Sequence, residues 1–406
     1  ARGWQHSLTP LAPRMPRPTT AHAGTIADKT IDELTHALRR GRYDAAPPSA
    51  LAKRVAETLI QTVATAPRDA SAEDIIARVR EVGGALALVR REHLLVGNVA
   101  RRVLKVIRDE ASAGARGRGA EARAGSGERA GSGVVGGVSG GGERGGERGE
   151  RGEREDGVDG HGRRSSDGGE AMKKLKRDVI ETAHEVMEEM QSVSSNIAAQ
   201  SGEFVVNGMV IMTISGAGGA SGGLPEAFLR DAHKKRSDLR VVVAECAPRF
   251  DGHVMAKSLA ERGVKDVNVI CDSAVYAAMP SVKLVVLSAR GVLADGTALV
   301  DSGAYNVALA AKAHAVPVIV LAGSYAISPK SINEEGFDSL FGLGSPASAL
   351  EYGVHPDAVV VNPALEYVPP ELISVFVTDH GAHVPGFIQV LLGEMYSPLD
   401  ASLLAK

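Results

Sequence analysis

The chain has 406 residues, 44% of them apolar and 4% aromatic, and a formal net charge of -3. That length holds two domains and a linker around an aliphatic core. The charge balance gives no global drive toward nucleic acid or an anionic membrane. The longest apolar runs are strand-sized, short of the roughly 20 residues of a spanning helix. The two cysteines, Cys246 and Cys271, lack metal-ligand spacing; they argue against a disulfide framework and fit a reducing, cytosolic compartment.

Residues 1–25 are rich in Pro and Arg, with no acid before Asp28, and are expected to form a disordered leader. An organelle transit peptide is the competing reading, but no amphipathic stripe accompanies the arginines. A helical pattern follows. Thr30 and Glu33 have the spacing of a capping box, ahead of a face built from Ile31, Leu34 and Leu38. Leu51, Val55, Leu59 and Val63 form a second stripe. Ser71 is placed to cap a third helix carrying Ile75, Ile76, Val79 and Val82. A fourth carries Val99, Val103, Val106 and Ile107, with Arg101, Arg102, Lys105 and Arg108 largely on its outer side. That basic side reads as a solvated or ion-paired face, or as a docking surface.

Residues 111–169 are low-complexity, GGERGGERGERGERED being the clearest part. Such a tract buries too little apolar surface to offset its ordering entropy, so a disordered insertion is expected. Its arginines and glycines invite an RNA-binding reading. Yet Glu143, Glu147, Glu150 and Glu153 each precede an arginine, and near-neutrality removes most of the counterion-release drive. Helical periodicity resumes at Ala171 through Met172, Leu175, Val179, Val186, Met190 and Val193 to about Ala199. The insertion thus interrupts one helical domain, 26–200, between its fourth and fifth helices.

From 201 to 406 the pattern changes to strands. Val210–Ile214, Val241–Ala244, Val267–Ile270, Leu284–Leu287 and Val318–Leu321 are apolar runs without polar alternation. They read as strands buried on both faces of a parallel sheet, with helices between them. The fold class is α/β: an N-terminal helical bundle followed by a doubly wound, mostly parallel Rossmann-like sheet. Its organising stretch is RVVVAECAPRFDGHVM, Arg240–Met255, with Glu245 at a strand end, Pro248 blocking continuation and a helix from about Gly252. Ligands of open α/β sheets gather at such carboxyl ends.

The turn Ser215–Gly223 after the first strand, with Glu245 at the end of the next, superficially suggests a dinucleotide site. Ser221 stands where the third glycine should be and no Walker lysine is present, so a phosphate-accommodating or simply flexible turn is the better reading. Glu245, Asp251, His253, Asp272 and Asp295 cluster at predicted strand ends, where acids commonly cap helices. His380 and His383 lack a second spaced ligand pair and read as loop or packing residues. Neither a metal nor a cofactor is expected.

VIMTI (Val210–Ile214), VVVAECAPRFDGH (Val241–His253), ALAAKAH (Ala308–His314) and EYVPPELISVF (Glu366–Phe376) resemble the beta-subunit branch of the eukaryotic translation initiation factor 2B family. GNVARRVLKVIRDE (Gly97–Glu110) and SSNIAAQ (Ser194–Gln200) are similar to its helical domain. The resemblance implies a non-catalytic regulatory and scaffold subunit of the guanine-nucleotide exchange factor for translation initiation factor 2. It implies pairing with a homologous delta subunit through the α/β domain, in an assembly with alpha, gamma and epsilon subunits. It also implies a docking surface for the alpha subunit of initiation factor 2, with no membrane or direct nucleic-acid contact.

The family shares its fold with methylthioribose-1-phosphate and ribose-1,5-bisphosphate isomerases. By that resemblance Ser215 stands where those enzymes carry a catalytic cysteine, Arg290 where they carry an aspartate, and Ala247 where they carry a motif arginine. Hydroxyl is a weaker acid than thiol and guanidinium is no base, so the chemistry is expected to be lost and the three positions vestigial. A surviving sugar-phosphate isomerase is the alternative. Asn207 and His253 are expected, by the same resemblance, in a pocket at the subunit interface.

Overall fold

A computed structural model describes residues 26–43, 46–127, 162–214, 223–331, 342–352, 354 and 359–403. The expected leader, the centre of the insertion and Ser215 lie outside the described residues.

Five helices open the fold: α1 (Ile26–Arg39), α2 (Pro48–Ala64), α3 (Ala72–Val89), α4 (Leu94–Gly127) and α5 (Gly162–Ala199). Pro48 stands in the first turn of α2, where its missing N–H costs nothing. Ser71 caps α3 as expected: its Oγ accepts from Asp74 N at 3.2 Å and Asp74 Oδ2 accepts from Ser71 N at 2.8 Å. The Leu51, Val55, Leu59 and Val63 stripe is buried. The capping box expected at Thr30 does not form. α1 starts at Ile26, with Asp28 favourable in its first turn, so Thr30 lies inside the helix and its hydroxyl donates back to Ala27 O at 2.8 Å. Glu33 pairs with Arg54 instead.

The described backbone of α4 runs to Gly127 and that of α5 begins at Gly162, at the two margins of the 111–169 tract. The interval 128–161 lies outside the described residues.

A short helix, α6 (Ser201–Phe204), leads into β1 (Val210–Ile214). Then follow α7 (Leu224–Lys235), β2 (Arg240–Ala244), α8 (Asp251–Glu261), β3 (Asp266–Ile270), α9 (Val275–Ala278), β4 (Leu284–Val292), β5 (Ala298–Asp301), α10 (Ala304–Ala313), β6 (Val318–Leu321), β7 (Leu365–Val368), β8 (Val375–Thr378), β9 (Gly381–His383) and α11 (Ile388–Met395). The main path of the sheet runs β3-β2-β1-β4-β6-β8-β9, parallel except for the final β8–β9 pair. Order reverses between β1 and β4, which makes their carboxyl ends the topological switch point. β5 and β7 form an antiparallel extension from the end of β4.

The apolar runs divide by alternate residue. Val241 and Val243 of β2 join the core shared with α7, α8 and the helical bundle, whereas Val242 and Ala244 join the core under α9, α10 and α11. One continuous cluster runs from Leu34 and Leu59 through Met190 to Ile211, Val286 and Val377. The helices and the sheet are thus packed as one body along that face.

The basic side of α4 is covered. Arg101 is 2% exposed. Its Nε donates to Asp400 O at 3.2 Å and its Nη2 to Ala401 O at 3.0 Å. Arg108 makes a bidentate contact with the Asp400 carboxylate at 2.8 and 3.0 Å, Arg102 pairs with Glu189 of α5 at 3.1 Å, and Lys105 donates to Glu394 O. The segment after α11 returns across α3 and α4, so of the readings of this basic side the ion-paired one holds, and it forms a seam.

Candidate functional site

Glu245, Ala247, Asp251, His253, Asp272 and Arg290, all singled out from the sequence, converge at the carboxyl ends of β2 to β4. Glu245 ends β2, its N–H donating to Ile270 O at 2.9 Å. The chain then turns sharply: Cys246 and Phe250 hold φ of 61° and 56°, and the Ala247–Pro248 peptide is cis. The Asp272 carboxylate anchors this turn, accepting from Cys246 N at 3.0 Å and from Ala247 N at 2.8 Å. α8 begins directly above β2. A side chain at Gly252 would put its Cβ 2.0 Å from Ala244 O, so only glycine permits this approach.

His253 sits in the first turn of α8, its Nε2 3.8 Å from Glu245 Oε2, too long for a hydrogen bond, with its ring tilted against Phe250 at 5.3 Å. Cys271, beside Glu245, is exposed, and the repulsion and hydrogen bond of that carboxylate push its thiol pKa up, making it a poor nucleophile. Cys246 is buried, with Sγ 3.2 Å from Ala244 O.

Arg290 occupies a bulge. Register in the β4–β5 pair shifts between Ala289 and Gly291, and the extra residue turns its side chain across the hairpin onto Asp301. Nη2 donates to Asp301 Oδ1 at 3.0 Å and Nε at 3.3 Å. Arg249 reaches the same oxygen at 3.5 Å and Asp251 at 2.9 Å. Asp301 is buried, and its Oδ2 has no hydrogen-bond partner among the described residues. Nearby, Glu366 of β7 accepts from Tyr305 N at the start of α10; burial, ahead of those backbone bonds, raises its carboxyl pKa.

The structure brings Ala247, His253 and Arg290 to one end of the sheet, beside the end of β1 after which Ser215 follows. Asn207 is elsewhere: it lies exposed in the turn before β1, at the opposite end of the strands. β1, about 17 Å long, separates Asn207 from the end of the sheet that carries His253. Asp301, Arg249 and Glu366 were not singled out for the site; an arginine with no carboxylate beside it in sequence was the available signal.

The remaining candidates have local roles. Asp295 Oδ1 accepts from Thr297 N at 2.9 Å in a turn, His383 stacks on Phe387 at 4.9 Å, and His380 lies 3.6 Å from Asp379. Among the described residues no three His, Cys, Asp or Glu side chains group to hold a metal, and no helix is long and apolar enough to cross a membrane. The site is chiefly a set of ion pairs and carboxylate-anchored turns, with Arg290 neutralised by Asp301 where the resemblance places a catalytic acid.

Residues 46–385 match the model of the Initiation factor 2 subunit family. The chain is 34% identical over 238 residues to "Translation initiation factor eIF2B subunit beta" of Dictyostelium discoideum, covering 57% of this chain and 58% of that protein. It is 29% identical over 233 residues to the ribose 1,5-bisphosphate isomerase of Archaeoglobus fulgidus, covering 56% and 70%. The match thus spans little over half the length of the first of these relatives. The fold is similar to the crystal structure of eIF2B beta from Chaetomium thermophilum, with TM-score 0.65 and 21% identity over 93% of each chain. It is also similar to a chain of the tetrameric eIF2B-beta2-delta2 complex of the same organism, with TM-score 0.62 and 22% identity over 92% and 96%.

Proposed function

The chain belongs to the Initiation factor 2 subunit family, and from that premise we propose that it is a regulatory and scaffold subunit of the guanine-nucleotide exchange factor for translation initiation factor 2. The observation that carries this reading is the 34% identity to an eIF2B beta subunit, against 29% to an isomerase over an alignment of similar length. Within that role it pairs with a delta-like subunit and works in an assembly with alpha, gamma and epsilon subunits, in the cytosol, contributing to the surface that meets the alpha subunit of initiation factor 2. The outer side of α9 and α10 supports pairing: Tyr276 is 61% exposed, with Leu309 and Tyr305 also exposed nearby, an apolar strip that a matching face would cover. Asn207 and His253 are assigned to a pocket at the subunit interface, to which more than one chain contributes, since the two residues lie at opposite ends of the strands.

Expressed from its own genome with a tag, the chain is expected to co-purify with homologous delta, alpha, gamma and epsilon subunits in stoichiometric amounts. Isolation as a stable monomer with no partner identified by mass spectrometry would overturn the scaffold reading.

We infer further that the chain does not isomerise sugar phosphates. Arg290 cannot accept a proton and is held by Asp301, Ala247 offers no charge to a phosphate, and Ser215 is a poorer acid than cysteine. Loss of acid–base catalysis alone is worth about 10²- to 10⁴-fold. With an authentic isomerase as reference, ribose 1,5-bisphosphate and methylthioribose 1-phosphate are expected to show no turnover. Turnover comparable to the reference and abolished by Ser215→Ala would restore the enzyme.

A further inference from the structure

We propose that the cleft at the end of α1 is a binding site for a phosphoryl group, carried by inorganic phosphate or a small phosphate ester. Its construction starts with the helix terminus. Gly41 takes φ +66°, Gly41 N donates to Leu38 O at 3.0 Å and Arg42 N to Ala37 O at 3.1 Å. These paired bonds are the Schellman closure of a helix. They fix the backbone on both sides of the glycine and so set where Arg40 and Arg42 leave the chain.

The two arginines open onto a cavity of about 340 Å³, which Glu33, His36, Tyr43 and Arg54 of α2 also line. Among the described residues that line it, three guanidinium groups face a single carboxylate. Glu33 is already committed to Arg54 at 3.3 Å, an arginine that also lies 3.5 Å from Glu57. Among the described residues neither Arg40 nor Arg42 has a carboxylate partner. Unmatched cations in a concave wall focus their field, raising the local concentration of an anion. The guanidinium fork matches tetrahedral phosphate oxygens, and two forks from one turn supply charge-assisted bonds. The volume exceeds what one phosphate needs, and Leu34 and Ala37 give the cleft an apolar floor on which the organic part of an ester can rest. This site is on the helical bundle, far in the chain from the strand-end site described above, and stands independently of the function proposed there.

The test is calorimetric titration of the full chain with inorganic phosphate at constant ionic strength, chloride being the replaced anion. Wild type is expected to bind saturably at one site. The double variant Arg40→Gln/Arg42→Gln is expected to bind at least about tenfold more weakly, since each lost arginine removes charge-assisted bonds. Both side chains are exposed, so its unliganded melting temperature should equal that of wild type. Competition with glycerol 3-phosphate separates the two sources: displacement of phosphate identifies an ester-accepting site, and no displacement a site for inorganic phosphate alone. Equal affinities of wild type and double variant would overturn the proposal. So would a phosphate-induced rise in melting temperature that never saturates and is the same in both, the signature of general salting.

Discussion

Replacing Asp400 by alanine is expected to cost about 3 kcal/mol of unfolding free energy, among the largest effects of any single polar side chain here. Asp400 is fully buried and receives Arg108 at 2.8 and 3.0 Å and Arg80 of α3 at 2.5 Å. Removing the carboxylate leaves two guanidinium groups facing each other without their shared counter-charge. Because Arg80 and Arg108 keep some solvent access, water relieves part of the cost, which places it at the low end of about 3–5 kcal/mol for broken buried pairs. The change also frees the segment after α11 from the seam along α4, where Arg101 holds the Asp400 and Ala401 carbonyls.

Acid should reproduce part of this loss. Burial by itself would raise the Asp400 pKa, but hydrogen bonds from Arg108 and Arg80 outweigh it and hold the carboxyl below its ordinary value. A depressed folded-state pKa means that the contribution is complete above the unfolded value, near about 4, and disappears as pH falls through the folded one. Urea unfolding at pH 7 and at a series of lower pH values measures both effects. Asp400→Asn should lack the acid-side decline that wild type shows from this group. An alanine variant within 0.5 kcal/mol of wild type, about the scatter of ordinary surface substitutions, would show that the seam is not a stabilising element.

Gly252→Ala is expected to lose about 3 kcal/mol or more and to displace the start of α8. The added methyl would lie 2.0 Å from Ala244 O and 2.9 Å from Glu245 Cα, both backbone positions that cannot rotate away. Overpacking against side chains typically costs about 1–3 kcal/mol, and rigid backbone puts this case at or above the top of that range. The readouts are the unfolding midpoint and the ring environment of His253, which shares the first turn of α8 with the mutated residue. Wild-type stability in the alanine variant would mean that α8 does not lie so close to β2.

Much of this fold was legible because parallel strands covered on both faces leave a plain trace. The runs at 210–214, 241–244, 284–287 and 318–321 became β1, β2, β4 and β6, whose residues divide between two cores. The run at 267–270 became the edge strand β3, half exposed rather than buried, because no further strand among the described residues covers it. The apolar stripes of the bundle were equally plain, since helical period and burial agree there. β5, β7, β8 and β9 were missed; β8 is a four-residue strand parallel to β6, too short to show a pattern of its own. The other three are only three or four residues long and pair antiparallel at the margin of the sheet, where register comes from neighbours rather than from an internal pattern. Thr30 misled because a capping pair is also found inside a helix, and nothing local says that the first turn begins four residues earlier.

The sequence by itself determined the order of the layers, the aliphatic core and the cluster of functional candidates at the end of β2, because these depend on residue type and spacing within one element. Tertiary structure alone decided what the charged residues do. Arg101 and Arg108 lie on the outer side of their helix by period, yet they are buried or half-buried by a segment some 300 residues later. Arg290 finds its acid through a bulge, and Asn207 and His253 fall at opposite ends of the strands. A charge is specified by the groups that meet it in space, and those contacts close over sequence separations that no local pattern encodes.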